Sequence, residues 1–119
     1  MLVASKDTFF KDQILEILHE QEYPVVVVDS CYKALKYSLE NNFDCIIFDP
    51  DLKEMNGAET AKLIKHFRPK MPIIAVSDEQ SYATGAQIAE MGVYFRLGKP
   101  VNEALAKELV KTVQKKKKS

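Results

Sequence analysis

Cys45-Ile46-Ile47-Phe48 runs directly into Asp49-Pro50-Asp51, and this stretch decides the fold. A short apolar run with β-branched and aromatic members predicts a strand buried on both faces, as in a parallel sheet. In an open α/β sheet, ligands bind at the carboxyl ends of the strands. A carboxylate at that end, on Asp49, stands where chemistry happens rather than packing. The chain then loops through Leu52-Lys53-Glu54-Met55-Asn56 to Gly57.

The same alternation extends on both sides. Upstream, Leu2-Val3-Ala4 predicts a short strand, and residues 7–21 place Phe10, Ile14, Ile17 and Leu18 on one helical face. Pro24-Val25-Val26-Val27-Val28 predicts a second strand, with Pro at its entry where no ladder donor is needed. Residues 31–41 put Ala34, Leu35 and Leu39 on one stripe, ended by Asn41-Asn42. Downstream of Gly57 a helix is expected to about Phe67, stopped by Arg68-Pro69. Pro72-Ile73-Ile74-Ala75-Val76 predicts a fourth strand, ending at Ser77. Residues 80–91 predict a weaker helix, with Gly85 inside and Gly92 as its C-terminal cap. Val93-Tyr94-Phe95-Arg96-Leu97 predicts a fifth strand, and residues 101–114 carry Val101, Leu105, Leu109 and Val113 at helical spacing.

Five βα units without an internal repeat require a parallel sheet, right-handed crossovers and helices on both faces. The fold class is α/β: a (βα)5 doubly wound, flavodoxin-like three-layer sandwich. The pattern by itself leaves the strand order open among doubly wound arrangements.

Composition narrows the function. A chain of 119 residues with 46% hydrophobic residues can bury one core, so one domain is expected over 1–114, with 115–119 a basic tail or the start of a linker. Lys plus Arg equals Asp plus Glu, but four lysines lie in Lys115-Lys116-Lys117-Lys118; without them thirteen basic residues face seventeen acidic ones. An acidic body argues against nucleic-acid binding. No run is long enough to span a bilayer. Cys31 and Cys45 form no CxxC pair and have no nearby histidine, so neither a metal nor a redox role is expected, and a cytoplasmic setting is the default. His19 and His66 fall on polar helix faces. The turn after the first strand, Ser5-Lys6-Asp7-Thr8, holds no glycine and so lacks the phosphate loop of a flavin or nucleotide binder. No nucleophile–base pair suggests an enzyme.

Asp49, the Met55-Asn56-Gly57 turn, Ser77, Glu90-Met91-Gly92 and Lys99-Pro100, taken in order over the whole chain, resemble the receiver domain of bacterial two-component response regulators. The resemblance implies the sheet order 2-1-3-4-5, with Asp49 as phospho-acceptor. Lys99 would contact the phosphoryl group and Ser77 would hydrogen-bond it. The main chain of Asp51 would help hold a divalent metal, and the Lys99–Pro100 bond would be cis. The implied partners are a histidine kinase or phosphotransfer protein, and an output domain or partner protein. The implied output surface is formed by the fourth helix, fifth strand and fifth helix, near Gln87, Glu90, Arg96 and Lys107. Ser77 also heads Ser77-Asp78-Glu79, which reads as a helix N-cap as well.

The chain departs from the family after the first strand. Receivers usually carry two adjacent acids there, which bind Mg²⁺; here the pair is Ser5-Lys6, and Asp7 falls where a third acid often faces outward. Arg96 replaces a usual aromatic. Unit charges ~4 Å apart interact by about 4 kcal/mol at an effective dielectric of ~20. Losing two acids and gaining a lysine therefore removes several orders of magnitude of metal affinity. Lys6 is expected to pair with Asp49 in place of the cation, with Mg²⁺ binding and phosphorylation both weak and no other cofactor implied. The alternative is a pseudo-receiver that never takes a phosphoryl group and serves as a protein–protein interaction module. Ser5 and Thr8 are the expected caps of the first helix.

Overall fold

The computed structural model describes residues 1–50, 52, 57–77 and 92–118. The strands are β1 (Leu2–Ala4), β2 (Val26–Val28), β3 (Ile46–Phe48), β4 (Ile73–Ser77) and β5 (Phe95–Gly98). The helices described are α1 (Thr8–Glu20), α2 (Cys31–Glu40), α3 (Gly57–Phe67) and α4 (Glu103–Lys118). The helix expected over 80–91 lies outside the described residues. All strand pairs are parallel, in the order β2-β1-β3-β4-β5, the doubly wound order that the resemblance implies.

Two apolar layers hold the sheet between them. On one face Phe10, Ile14, Ile17 and Leu18 of α1 and Ala106, Leu109, Val110 and Val113 of α4 pack with Val3, Ile47, Ile74 and Val76. On the other, Cys31 and Ala34 of α2 and Ala61 and Ile64 of α3 pack with Leu2, Ala4, Ile46, Phe48 and Ala75. Alternate residues of β1, β3 and β4 thus feed opposite layers, as the period of a strand dictates. Each large side chain fully buried in this way contributes about 1.5–3 kcal/mol. Val26 and Val27 are exposed because β2 is an edge strand.

Several local expectations are corrected. Neither Ser5 nor Thr8 caps α1: Asp7 does, its Oδ1 accepting from the Phe10 N–H at 3.0 Å. The α2 stripe is turned by one position. It buries Cys31, Ala34 and Ser38, whose hydroxyl donates to the Ala34 carbonyl at 2.6 Å, and leaves Leu39 exposed. On α4 the buried set is Ala106, Leu109, Val110 and Val113, and Leu105 is exposed. That helix begins at Glu103, after Lys99 and Pro100, and its backbone stays helical through Lys118, past the expected end at 114.

Candidate functional site

Parallel register brings distant residues to one edge. Ala4 pairs with Phe48, so Ser5 and Asp49 leave neighbouring strands side by side. The Asp49 N–H donates to the Ala4 carbonyl at 2.9 Å, and the Ser5 N–H to the Val28 carbonyl at 3.1 Å. Ser77 ends β4 opposite Gly98, and Lys99 follows Gly98 at the end of β5. The carboxyl ends of β1, β3, β4 and β5 therefore deliver Ser5, Asp49, Ser77 and Lys99 to the same side of the sheet.

Asp49 is buried, with only 4% of its surface exposed. Its Oδ2 accepts from the Ser5 hydroxyl at 2.9 Å and from the Lys99 ammonium at 2.9 Å. The Ser5 hydroxyl oxygen in turn accepts from the Asp7 N–H at 3.0 Å. One alcohol thus ties the start of α1 to the acidic end of β3. A buried carboxylate needs such partners, since burying an unpaired charge is costly.

Lys99 serves two acids. Its Nζ lies 2.9 Å from Asp49 Oδ2 and 3.1 Å from Asp7 Oδ2, and 5.8 Å from the centre of the Phe10 ring. Burial alone would lower its pKa; the hydrogen bonds and charges of Asp49, then of Asp7, outweigh that and hold the ammonium above its ordinary value. The Phe10 N–H is the main cause that holds the Asp7 carboxyl below its ordinary value; partial burial opposes it and Lys99 assists.

The sequence places Lys6 as the expected cation at Asp49. The ion pair described there is with Lys99, and Lys6 is exposed. Lys6 lies near the end of β2, where Asp29 is held below its ordinary value. The hydrogen bond and charge of Lys33, at 3.3 Å, do most of that, with a smaller contribution from the charge of Lys6. Asp51, Met55, Asn56, Gln87 and Glu90 lie outside the described residues, as does the Ser77 side chain. The Lys99–Pro100 bond is cis. Arg96 is exposed, and Lys107 bridges Glu103 at 3.0 Å and Glu20 at 3.4 Å. Among the described residues no group of three or more His, Cys, Asp and Glu side chains could hold a metal, and no helix is long and apolar enough to cross a membrane.

Asp7 is the site residue that sequence reasoning set aside. The signal available was its place before Thr8-Phe9-Phe10, an N-cap position that fixes one carboxylate oxygen and leaves the other to reach into the cleft.

Residues 1–114 match the response regulator receiver domain model, and the chain belongs to that family. It is a receiver domain of two-component signalling. It is 28% identical over 102 residues to the transcriptional regulatory protein ZraR of Klebsiella oxytoca, a match that covers 86% of this chain and 23% of that protein. It is 26% identical over 113 residues to the DNA-binding transcriptional regulator NtrC of Bradyrhizobium, covering 95% of this chain and 23% of the relative. The chain thus spans about a quarter of the length of these curated relatives. Among solved structures, a CheY-like receiver domain protein from Methanospirillum hungatei superposes with a TM-score of 0.82 at 25% identity, over 98% of this chain and 94% of that one.

Proposed function

We propose that Asp49 is the phospho-acceptor position of this receiver and that it works with little help from a divalent cation. The observation that carries the reading is the convergence of the Lys99 ammonium and the Ser5 hydroxyl on one buried oxygen of Asp49, each at 2.9 Å. A phosphoryl group arriving at Asp49 brings negative charge, and a fixed ammonium beside it lowers the cost of that charge. The donor would be a histidine kinase or phosphotransfer protein, and Asp49 would act as an acceptor and switch rather than as an enzyme's turnover centre. The setting would be the cytoplasm.

Mg²⁺ fits the described residues poorly. It requires a near-octahedral shell rich in oxygens. The described carboxylates here are Asp7 and Asp49, and the Lys99 ammonium already lies between them, at 3.1 and 2.9 Å. The position after β1 that would add acids holds Ser5 and Lys6.

A second reading is favoured by the same oxygen. Asp49 Oδ2 is engaged twice in a residue that is 4% exposed, so the domain could hold one conformation and act through its surface without modification. The surface in question is β5 and α4, around Arg96 and Lys107. Incubation with acetyl phosphate, with and without Mg²⁺, separates the two readings by intact mass. A phosphoryl adduct that Asp49→Ala abolishes supports acceptance; an unchanged mass under all conditions leaves the interaction module.

A further inference from the structure

The unusual feature of the site is Asp7, held by a backbone N–H at one oxygen and paired with Lys99 at the other. Oδ1 is held by the Phe10 N–H at 3.0 Å, at the amino end of a 13-residue helix, and Oδ2 lies 3.1 Å from Lys99 Nζ. The carboxylate therefore cannot follow the ammonium freely, because moving it would uncap α1. The charge of Lys99 is divided between Asp7 and Asp49.

We propose that Asp7 is a positioning residue that anchors the Lys99 ammonium and slows phosphoryl acceptance at Asp49. The inference rests on Asp49 being the acceptor. With acetyl phosphate as donor, an Asp49 carboxylate oxygen attacks phosphorus. The new O–P bond forms as the bond to the acetyl oxygen breaks, and acetate leaves with the electron pair. The donor is an anion, and the product carries more negative charge than the carboxylate it replaces. A second fixed negative charge on the same ammonium opposes both the approach and the product. Asp7 also draws off part of the counter-charge that Lys99 would otherwise give to the phosphoryl oxygens.

Asp7→Asn removes the charge and keeps a capping oxygen, since Asn and Asp cap equally well. The whole chain is treated with acetyl phosphate in metal-free buffer, and initial labelling is followed by intact mass. The expected result is labelling about tenfold faster in Asp7→Asn than in the unaltered chain at low salt. That gap should narrow as salt is raised, because the repulsion is screened. A merely structural role would not produce this salt dependence. Equal rates at every salt concentration overturn the proposal. Slower labelling in Asp7→Asn than in the unaltered chain also overturns it. A second measurement needs no phosphorylation: the NMR signal of the Lys99 ammonium. It should be sharp and slowly exchanging in the unaltered chain and broadened in Asp7→Asn; an unchanged signal overturns the anchoring role. Absence of labelling in both proteins, with Mg²⁺ added as well as without it, refutes the acceptor reading and with it the effect on rate, while the ammonium signal still decides whether Asp7 positions Lys99.

Discussion

The Lys99 ammonium lies 2.9 Å from Asp49 Oδ2 across fifty residues of sequence, joining the ends of β5 and β3. Both side chains are largely withdrawn from water, at 13% and 5% exposed. Removing one partner leaves the other poorly compensated. Lys99→Met should therefore destabilise the domain by about 2 kcal/mol, the scale of a hydrogen bond to a charged group. Combining it with Asp49→Asn should recover part of that loss, since no unpaired charge then stays buried. Urea unfolding of the two single variants and the double variant measures the coupling. Additive losses would show that the pair is not an energetic unit.

The same pair gives stability a pH dependence with a definite sign. The Lys99 ammonium is held above its ordinary value in the folded chain despite burial, by Asp49 and then Asp7. Its contribution is therefore complete below the unfolded value of 10.5 and is lost as pH rises through the higher folded value. Asp7 behaves oppositely. Its carboxyl is lowered chiefly by the Phe10 N–H, so its contribution is present above 3.8 and is lost as pH falls through the folded value. Thermal melts across both limbs should show Asp7→Asn flattening the acid limb. An acid limb identical in the variant would remove Asp7 from the account.

How much of this could be read without coordinates depends on what fixes each residue. The end of β3 was legible because four apolar residues stop at an acid, and parallel register then places Ser5 and Lys99 at the same edge. Phe10, Ile14, Ile17 and Leu18 were legible because a helix facing a sheet must repeat at that spacing. Leu39 and Leu105 misled because hydrophobic identity does not set rotation: Ser38 is buried one position away, satisfied by the Ala34 carbonyl. The choice between Lys6 and Lys99 was not legible at all. Both are lysines near one acid in topology, and only the direction in which each leaves its strand decides which gives up water.

Gly57 begins α3 directly against Pro50. A β-carbon there would overlap the carbonyl oxygen of Pro50, which is backbone and cannot rotate away. Gly57→Ala should cost roughly 1–3 kcal/mol as overpacking, although alanine is the better helix former. A melt unchanged or raised by the substitution would mean that the Pro50 backbone yields easily. Because Pro50 adjoins Asp49, the variant should also change the chemical shifts of the Asp49 backbone.

Arg68 ties α3 to α2. Its Nε donates to the Ser38 carbonyl at 3.0 Å and its Nη2 to the Leu39 carbonyl at 2.8 Å, satisfying two carbonyls at the end of α2. Lysine cannot reproduce that fork. Arg68→Lys should therefore lose about 1 kcal/mol, nearly as much as Arg68→Ala. Faster amide exchange over the last turn of α2 in both variants would confirm the cause, and full stability in Arg68→Lys would refute it.

Cys45 is wholly buried just before β3, and burial, followed by the charge of Asp44, pushes its thiol up to about 12. A thiolate is the reactive form, so Cys45 should resist alkylation at mildly alkaline pH as long as the chain is folded. Cys31 is also fully buried. Iodoacetamide followed by mass analysis should add nothing to the native chain and two groups to the unfolded one, matching the two cysteines. Fast modification of the native chain would mean that the core around Cys31 or Cys45 opens often, and the rate would then report local unfolding rather than acidity.

Restoring acids after β1 tests the weak-cation reading from the opposite direction. Ser5 already sits against Asp49, with its hydroxyl 2.9 Å from Oδ2, so a carboxylate at that position would face Asp49. Lys6 follows it and adds a positive charge beside the cleft's carboxyl edge that two acids would reverse. At ~4 Å and an effective dielectric of ~20, each unit of charge is worth about 4 kcal/mol against another unit charge. Even after large screening and desolvation losses, the double variant Ser5→Asp/Lys6→Asp should bind Mg²⁺ at least about a hundredfold more tightly. It should be less stable without the ion, because like charges then crowd Asp49, and should regain stability as Mg²⁺ is added. Titration calorimetry and melts with and without the ion measure both effects. Unchanged affinity would mean that something other than the charge of residues 5 and 6 governs cation binding in this cleft.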